Sequence, residues 1–169
     1  MSLTLVGGGA RSGKSSHALR LARSCGSRLA FIATARAEDD EMRERIRVHT
    51  QQRGQEFITF EEPRDVAGRI AAERDRFDAL VVDCLTLWVS NLLLAHEVDI
   101  EREFQQIVDS AVNARARVFL VTNEVGCGIV PDNALARRFR DLTGKLNQQA
   151  AEAADAVFWM VFGIPLQVK

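Results

Sequence analysis

An eight-residue segment near the N-terminus combines glycine, lysine and serine at a defined spacing. Residues 8–15 read Gly-Gly-Ala-Arg-Ser-Gly-Lys-Ser and match the pattern G-x-x-x-x-G-K-[ST] at every fixed position. The glycines let the backbone N–H groups close around phosphate oxygens, and Lys14 adds a positive charge for the β- and γ-phosphates. The pattern therefore predicts a site for a nucleoside triphosphate. Its predicted residues are Gly8, Gly9, Ala10, Arg11, Ser12, Gly13, Lys14 and Ser15.

Asp83 is the predicted partner of this loop in holding a metal ion. It directly follows the apolar run 80–82, and a carboxylate at the tip of a buried strand can hold Mg²⁺ opposite the Ser15 hydroxyl. The alternative is that Asp83 caps the helix after it. Ser15 and Asp83 are thus the predicted Mg²⁺-binding pair.

One of the three histidines lies in a segment with a helical pattern. Residues 39–49 have acidic side chains first and basic ones later, as a helix dipole favours. Met42, Ile46, His49 and Arg53 share one face of this predicted helix. On spacing alone, His49 is interpreted as a packing residue of the core.

The elements that must position these residues are apolar runs that alternate with helical patterns. The predicted strands are 3–7, 29–34, 57–60, 79–83, 118–123 and 157–163. Several of these runs are continuously apolar, which is typical of strands covered on both faces of a parallel sheet. The sequence predicts an α/β fold of the P-loop NTPase type, with a largely parallel central sheet flanked by helices.

The carboxyl ends of the predicted strands are the expected location of a ligand. Four segments follow strands directly and are expected to converge on one rim of the sheet: 8–15, 34–35, 83–86 and 123–128. The chain has no internal repeat, low-complexity tract or flexible linker, so residues 1–169 are predicted to form one domain.

Composition and charge exclude several classes of protein. Hydrophobic residues make up 47% and charged residues 27% of 169, and the net charge is -1, which gives no electrostatic reason to expect nucleic acid as a partner. No apolar run is long enough to span a membrane, and no signal-peptide pattern is present, so a cytoplasmic location is expected. The three cysteines are widely spaced and predict neither a disulfide framework nor a metal cluster.

Further blocks of sequence accompany the loop along the chain. They are Asp-Asp-Glu-Met at 39–42 with Arg45-Ile46 and His49, the segment 84–93, Val-Thr-Asn-Glu-Val-Gly at 121–126, Gly-Ile-Val-Pro at 128–131, Phe-Arg-Asp-Leu at 139–142 with Gly144 and Asn147-Gln148, and Gly-Ile-Pro at 163–165. With these blocks the chain, from Leu5 onward, resembles the bifunctional adenosylcobinamide kinase / adenosylcobinamide-phosphate guanylyltransferase family of cobalamin biosynthesis.

The resemblance implies two reactions. Such an enzyme phosphorylates the aminopropanol hydroxyl of adenosylcobinamide with ATP or GTP. It then takes GMP from GTP onto a histidine, releases pyrophosphate and passes the GMP on, which gives adenosylcobinamide-GDP. The guanylylated histidine of the family matches His49, and this replaces the packing interpretation. An imidazole with an ordinary pKa of about 6.5 is largely neutral at cell pH and is then nucleophilic.

The resemblance also implies site residues and an assembly. His49 and Lys14 are the expected catalytic residues, and Mg²⁺ is the expected cofactor. The nucleotide contacts expected besides the loop are Ala33, Thr34, Ala35, Thr50, Gln51, Gln52, Arg53, Glu61 and Asp83. The expected partners are adenosylcobinamide, GTP and ATP, and the expected assembly is a homotrimer in which a neighbouring subunit can complete a site.

Two other functions are compatible with the loop. A P-loop small-molecule kinase without guanylyl transfer would use only the γ-phosphate and would leave His49 as a packing residue. A regulatory switch would bind GTP and signal through loops ordered by the γ-phosphate. The paired polar residues at 123–124 and 140–141 favour a substrate pocket over such a signalling interface.

Overall fold

Seven strands and six helices alternate along most of the described chain. A computed structural model describes residues 2–37, 40–95 and 98–169, without the side chains of Glu41, Arg45 and Gln52. The strands are β1 (Ser2–Gly8), β2 (Leu29–Ala33), β3 (Phe57–Glu61), β4 (Ala79–Asp83), β5 (Arg117–Val121), β6 (Ala156–Val161) and β7 (Ile164–Gln167). The helices are α1 (Lys14–Arg23), α2 (Asp40–Arg53), α3 (Val66–Glu73), α4 (Leu85–Leu93), α5 (Ile100–Val112) and α6 (Ala134–Ala153).

All seven strands belong to one sheet, in the order β3-β2-β4-β5-β1-β6-β7. Neighbours from β3 to β6 are parallel, and only β7 runs antiparallel, against β6. The predicted largely parallel sheet with flanking helices is confirmed. The strand predicted at 157–163 is wrong at its C-terminal end, because Phe162 and Gly163 have φ angles of 50° and 84° and reverse the chain into β7.

The two faces of the sheet are covered unequally. On one face, side chains of α3 to α6 such as Trp88 and Phe104 form a cluster with Leu3 and Leu80. On the other face, α1 packs Ala18 and Ala22 against the sheet. Burial on both faces explains why the central strands are continuously apolar rather than alternating. Among the helices of the described residues, none is long and apolar enough to cross a bilayer.

Candidate functional site

The loop 8–15 joins β1 to α1 and requires glycine at two positions. Gly8 has a φ of 147°, and a Cβ there would lie 2.9 Å from the carbonyl oxygen of Met160 and 2.9 Å from Ser12 Oγ. Gly13, with a φ of 88°, is the N-cap residue of α1. These conformations are open to glycine and strained for other residues. The loop therefore directs the N-terminus of α1, where backbone N–H groups and the helix dipole favour an anion, at the predicted phosphate site.

The close packing at Gly8 leads to a stability prediction. Gly8→Ala is expected to lower the free energy of unfolding by about 2 kcal/mol, because the new Cβ collides with backbone and the φ angle is unfavourable. Gly9→Ala is the matched control, since a Cβ on Gly9 meets nothing within 4 Å. Urea unfolding of the two variants measures the difference, and equal stability of both would contradict it.

Lys14 begins α1 and is almost fully buried, with 7% of its surface exposed. Its Nζ donates hydrogen bonds to the carbonyl oxygen of Gly9 and, at 3.4 Å, to Ser12 Oγ. Burial lowers the pKa of Lys14, and the nearby Asp83 and Cys84 act in the opposite direction. The ammonium group is thus held over the loop, where it is able to meet phosphate oxygens.

Asp83 ends β4, opposite Ala33 of β2 and Val121 of β5. Its carboxylate accepts a hydrogen bond from the Ser15 side chain. Its Oδ2 atom is buried and has no hydrogen-bond partner among the residues that the structure describes. Burial raises the pKa of Asp83, while the Ser15 hydrogen bond, His49, Lys14 and Arg53 oppose the increase. A buried carboxylate oxygen without a hydrogen-bond partner is suited to bind a cation.

The capping alternative for Asp83 is wrong. The N-cap residue of α4 is Cys84, whose Sγ accepts from the Leu87 backbone N–H at 3.5 Å. In the described part of the chain, no group of three or more His, Cys, Asp or Glu side chains is placed to hold a metal ion. A pair made of one carboxylate and one hydroxyl leaves most coordination positions to phosphate or water, as Mg²⁺ prefers.

The four segments expected at the rim converge there. Thr34 Oγ1 donates to the carbonyl oxygen of Cys84 and accepts from its N–H, both at 2.8 Å. The N–H of Asn123 donates to Thr86 Oγ1 at 2.7 Å, and the N–H of Glu124 donates to the Gly8 carbonyl at 3.1 Å. The loops that follow β1, β2, β4 and β5 are therefore joined by hydrogen bonds beside the phosphate loop.

The predicted nucleotide contacts lie in two places. Ala33, Thr34, Ala35, Glu61 and Asp83 end or follow β2, β3 and β4, so they belong to the rim. Residues 50–53 form the last turn of α2 instead. The side chain of Gln52 lies outside the described residues, and contact of any of these residues with nucleotide stays a prediction.

The packing interpretation of His49 is wrong. His49 is exposed, although Met42 and Ile46 on the same face of α2 are half-buried and Arg53 is buried. The periodicity places these residues on one face correctly, but only the position of the helix at the edge of the domain decides which of them are covered. The charge of His49 lowers the pKa of Asp83, so the imidazole lies within electrostatic range of the end of β4.

The comparison with known families decides what kind of protein this is. Residues 4–168 match the family described as cobinamide kinase / cobinamide phosphate guanyltransferase. The chain belongs to this family.

Two relatives resemble this family member over almost the whole chain. The bifunctional adenosylcobalamin biosynthesis protein CobP of Pseudomonas aeruginosa is 41% identical over 166 residues, which cover 98% of this chain and 96% of the relative. The bifunctional adenosylcobalamin biosynthesis protein CobU of Salmonella typhimurium is 41% identical over 181 residues, which cover 99% of both chains.

Solved structures with low sequence identity share the fold of this family member. The flagellar accessory protein FlaH from Methanocaldococcus jannaschii has a TM-score of 0.54 at 12% identity and covers 99% of this chain and 78% of its own. The RadB recombinase has a TM-score of 0.54 at 15% identity, with 94% of this chain and 73% of its own covered. These similarities confirm the α/β fold of the P-loop NTPase type and bear on the fold alone.

Residues that hold the rim of this family member together were not among the predicted site residues. Asn91 Nδ2 donates to the carbonyl oxygens of Thr34 at 2.9 Å and Pro63 at 3.0 Å, and it thereby ties α4 to the loops after β2 and β3. Thr122 Oγ1 donates to Asn147 Oδ1 at 2.6 Å and connects β5 to α6. The sequence blocks 84–93 and 121–126 contain these residues, but spacing alone does not indicate such cross-links.

Proposed function

We propose that this protein phosphorylates adenosylcobinamide with ATP or GTP and then transfers GMP from GTP, through a guanylyl-His49 intermediate, to give adenosylcobinamide-GDP. Membership of the kinase and guanylyltransferase family supports both activities. The observation that carries the histidine step is that His49 is exposed and lies within electrostatic range of Asp83, next to the phosphate loop. A packing histidine would be covered.

The first reaction needs alignment and charge neutralisation rather than covalent chemistry by the protein. In our proposal, the N–H groups of loop 8–15 and the N-terminus of α1 bind the β- and γ-phosphates. The rim segment 33–35, the turn 50–53 and Glu61 contribute further nucleotide contacts. The bond from the γ-phosphorus to the bridging oxygen breaks as a bond to the acceptor hydroxyl oxygen forms, which releases the nucleoside diphosphate and, to solvent, the hydroxyl proton. Lys14 neutralises the negative charge that develops on the phosphate oxygens.

The second reaction attacks a different phosphorus atom. The lone pair of neutral His49 forms a nitrogen–phosphorus bond to the α-phosphorus of GTP, and the bond to the bridging oxygen breaks as pyrophosphate leaves. Lys14 and the loop N–H groups stabilise the negative charge on the departing pyrophosphate. An oxygen of the phosphorylated acceptor then takes the GMP group and frees His49 for another turnover.

The residues at the loop fit a magnesium ion. Ser15 and Asp83 would hold Mg²⁺, because the Ser15 hydroxyl lies against the carboxylate and Asp83 Oδ2 is buried without a partner among the described residues. When bound, Mg²⁺ neutralises phosphate charge in both reactions. The fit depends on a deprotonated carboxylate at Asp83, which its burial disfavours in the free protein.

The burial of Asp83 predicts that Asp83→Asn lowers activity but raises thermal stability. Both reactions are expected to slow by about 10²-fold or more, because a charged ligand of the metal is lost. Burial raises the pKa of the Asp83 carboxyl in the folded protein above its value in the unfolded chain. The contribution of this carboxyl to the free energy of unfolding is therefore fully present below its unfolded pKa and is lost as the pH rises through its folded pKa. The free variant is therefore expected to melt about 2–4 °C higher at neutral pH, the shift produced by about 1 kcal/mol in a domain of this size.

Melting curves at several pH values and steady-state assays measure the two effects of Asp83→Asn. Asparagine lacks the titrating carboxyl, so the difference in melting temperature between variant and wild type is expected to shrink as the pH falls. Lower stability of the variant at neutral pH, or unchanged activity, would contradict the assignment.

A single experiment tests the proposed function as a whole. Incubation with GTP and Mg²⁺, followed by intact-protein mass spectrometry, is expected to show a mass increase of one GMP group. The bond is expected to be labile in acid and stable in base, as a phosphoramidate is. Addition of phosphorylated adenosylcobinamide should remove the group and yield adenosylcobinamide-GDP. Kinase turnover without any adduct would instead indicate a small-molecule kinase.

We also propose that residues 1–169 act as one domain in a cytoplasmic homotrimer. The family resemblance supports this assembly. The hairpin of β6 and β7 exposes apolar side chains, among them Phe162 at 97% and Ile164 at 70%, which a neighbouring copy would cover. Light scattering after gel filtration measures the mass of the assembly, and a monomer at micromolar concentration would exclude the trimer.

A further inference from the structure

Helix α2 carries His49 and is docked most firmly at its C-terminal end. Met42 and Ile46 are half-buried, whereas His49 and Thr50 are exposed. A helix that buries so little apolar surface gains little docking energy from the hydrophobic effect. Its last residue, Arg53, is only 4% exposed, so the contacts of Arg53 are prominent among those that hold the helix in place.

The guanidinium group of Arg53 is held from several directions. It lies 3.8 Å from the centroid of the Phe31 ring of β2. Its Nη1 donates to Thr59 Oγ1 of β3 at 2.8 Å, and its Nη2 donates to Thr50 Oγ1 of α2 at 3.1 Å. Attraction between a cation and an aromatic face strengthens when both are removed from water, and hydrogen bonds from a charged donor are stronger than neutral ones. The contacts with Phe31 and Thr59, which belong to the sheet, restrict rotation of the helix about its own axis, and the bond to Thr50 fixes the orientation of the guanidinium group on the helix.

The backbone of Arg53 is held as well. Arg23 Nη2 donates to the Arg53 carbonyl oxygen at 2.9 Å, and Arg23 Nε donates to Glu56 Oε1 at 2.8 Å. Arg23 is the last residue of α1, the helix that begins at Lys14. The end of α2 is therefore connected to the same rigid helix that presents the phosphate loop.

His49 and Arg53 share one face of α2, because they are four residues apart. Arg53 lies over the Phe31 ring, and Phe31 pairs with Val81 of β4, two residues before Asp83. Residues two apart in a strand point to the same face of the sheet, so Arg53 holds its end of α2 over the sheet face on which the Asp83 side chain lies. The orientation that Arg53 imposes on this face is thus also the orientation of His49 toward the loop.

We propose that Arg53 is a positioning residue for guanylyl transfer: its contacts with Phe31 and Thr59 orient α2 and thereby direct His49 toward the α-phosphorus. The inference rests on the proposed guanylyl-His49 step. It gives the guanidinium group a role distinct from the nucleotide contact expected of residues 50–53. Transfer of the γ-phosphoryl group does not use His49, so loss of this anchor affects it only through the nucleotide contacts proposed for the turn 50–53 and is expected to slow it less than adduct formation.

Substitution of Thr59 tests the anchor without altering the site. Thr59 is exposed, so Thr59→Val is expected to fold; it keeps the shape of the side chain but removes the acceptor for Arg53. Thr59→Ser keeps the hydroxyl and is the matched control. Two rates are measured on each protein: formation of the GMP adduct from Mg·GTP without acceptor, and phosphorylation of adenosylcobinamide. Thr59→Val is expected to slow the adduct about tenfold and the kinase reaction less than about twofold, with Thr59→Ser near wild type.

Phe31→Leu tests the opposite contact of the guanidinium group. The substitution keeps an apolar side chain but removes the ring, and it is expected to slow the adduct selectively as well. Phe31 is buried, so thermal unfolding of the variant is recorded to show that it is folded. Equal slowing of both reactions would show that Arg53 acts on the fold or on the shared nucleotide site, and no change in adduct rate in Thr59→Val would show that the anchor does not direct His49; either result would overturn the positioning role. Absence of an adduct on the wild type would refute the proposed function instead.

Discussion

Replacement of His49 by alanine is expected to abolish formation of the GMP adduct, a loss of at least about 10⁴-fold, while phosphorylation of adenosylcobinamide stays within about threefold of wild type. The reason is that only the second reaction uses a nucleophile from the protein. His49 is exposed and helix α2 buries little around it, so alanine disturbs neither the core nor the loop 8–15. Intact-protein mass spectrometry with GTP and Mg²⁺ measures the adduct.

Val48→Ala is the matched control for His49→Ala. Val48 is the preceding residue of the same helix and is also exposed, so the control reproduces a truncation on α2 without removing the imidazole. Adduct formation in this control is expected to match wild type. A normal adduct on His49→Ala would mean that another residue carries the GMP group, and loss of both reactions would mean that His49 supports the fold or the shared nucleotide site.

Replacement of Lys14 by alanine is expected to slow both reactions by at least about 10³-fold. Both reactions need the triphosphate in one site, and both develop negative charge on phosphate oxygens that the ammonium group neutralises. The physical basis is that Lys14 is almost completely buried and that its ammonium group is held over the loop by the Gly9 carbonyl oxygen. Steady-state rates for the kinase reaction and single-turnover rates for adduct formation measure the two losses.

Lys145→Ala is the matched control for Lys14→Ala. Lys145 lies on α6, is exposed and pairs with Glu101 of α5, so its removal changes the net charge equally. Exposed ion pairs contribute little to stability, and both rates are expected to stay near wild type. Survival of either reaction at near wild-type rate in Lys14→Ala would contradict a shared phosphate site.

The phosphate loop could be predicted from sequence because its chemistry is local. The residues 8–15 are contiguous, and the conformations at Gly8 and Gly13 follow from the absence of a Cβ at those positions. The parallel sheet could be predicted for a similar reason, because strands buried on both faces are continuously apolar. Strand β7 was missed, since the reversal at 162–163 depends on two left-handed residues inside an apolar run.

The environment of His49 and Arg53 depended on residues far away in the chain. Their spacing placed them on one helix face, but spacing does not reveal that Arg53 lies against Phe31 and Thr59 while His49 remains exposed. Burial is a property of what packs against a helix, and those partners come from β2 and β3.

By itself, the sequence determined the nucleotide loop, the alternation of strands and helices, and the resemblance to a family of cobinamide kinases and guanylyltransferases. The tertiary structure alone decided that Asp83 keeps a buried oxygen unpaired among the described residues, and that one arginine anchors the helix of the proposed nucleophile. The physical reason is that backbone conformation and periodicity are encoded over a few neighbouring residues. Desolvation and electrostatic coupling, in contrast, arise only when separate segments share one environment.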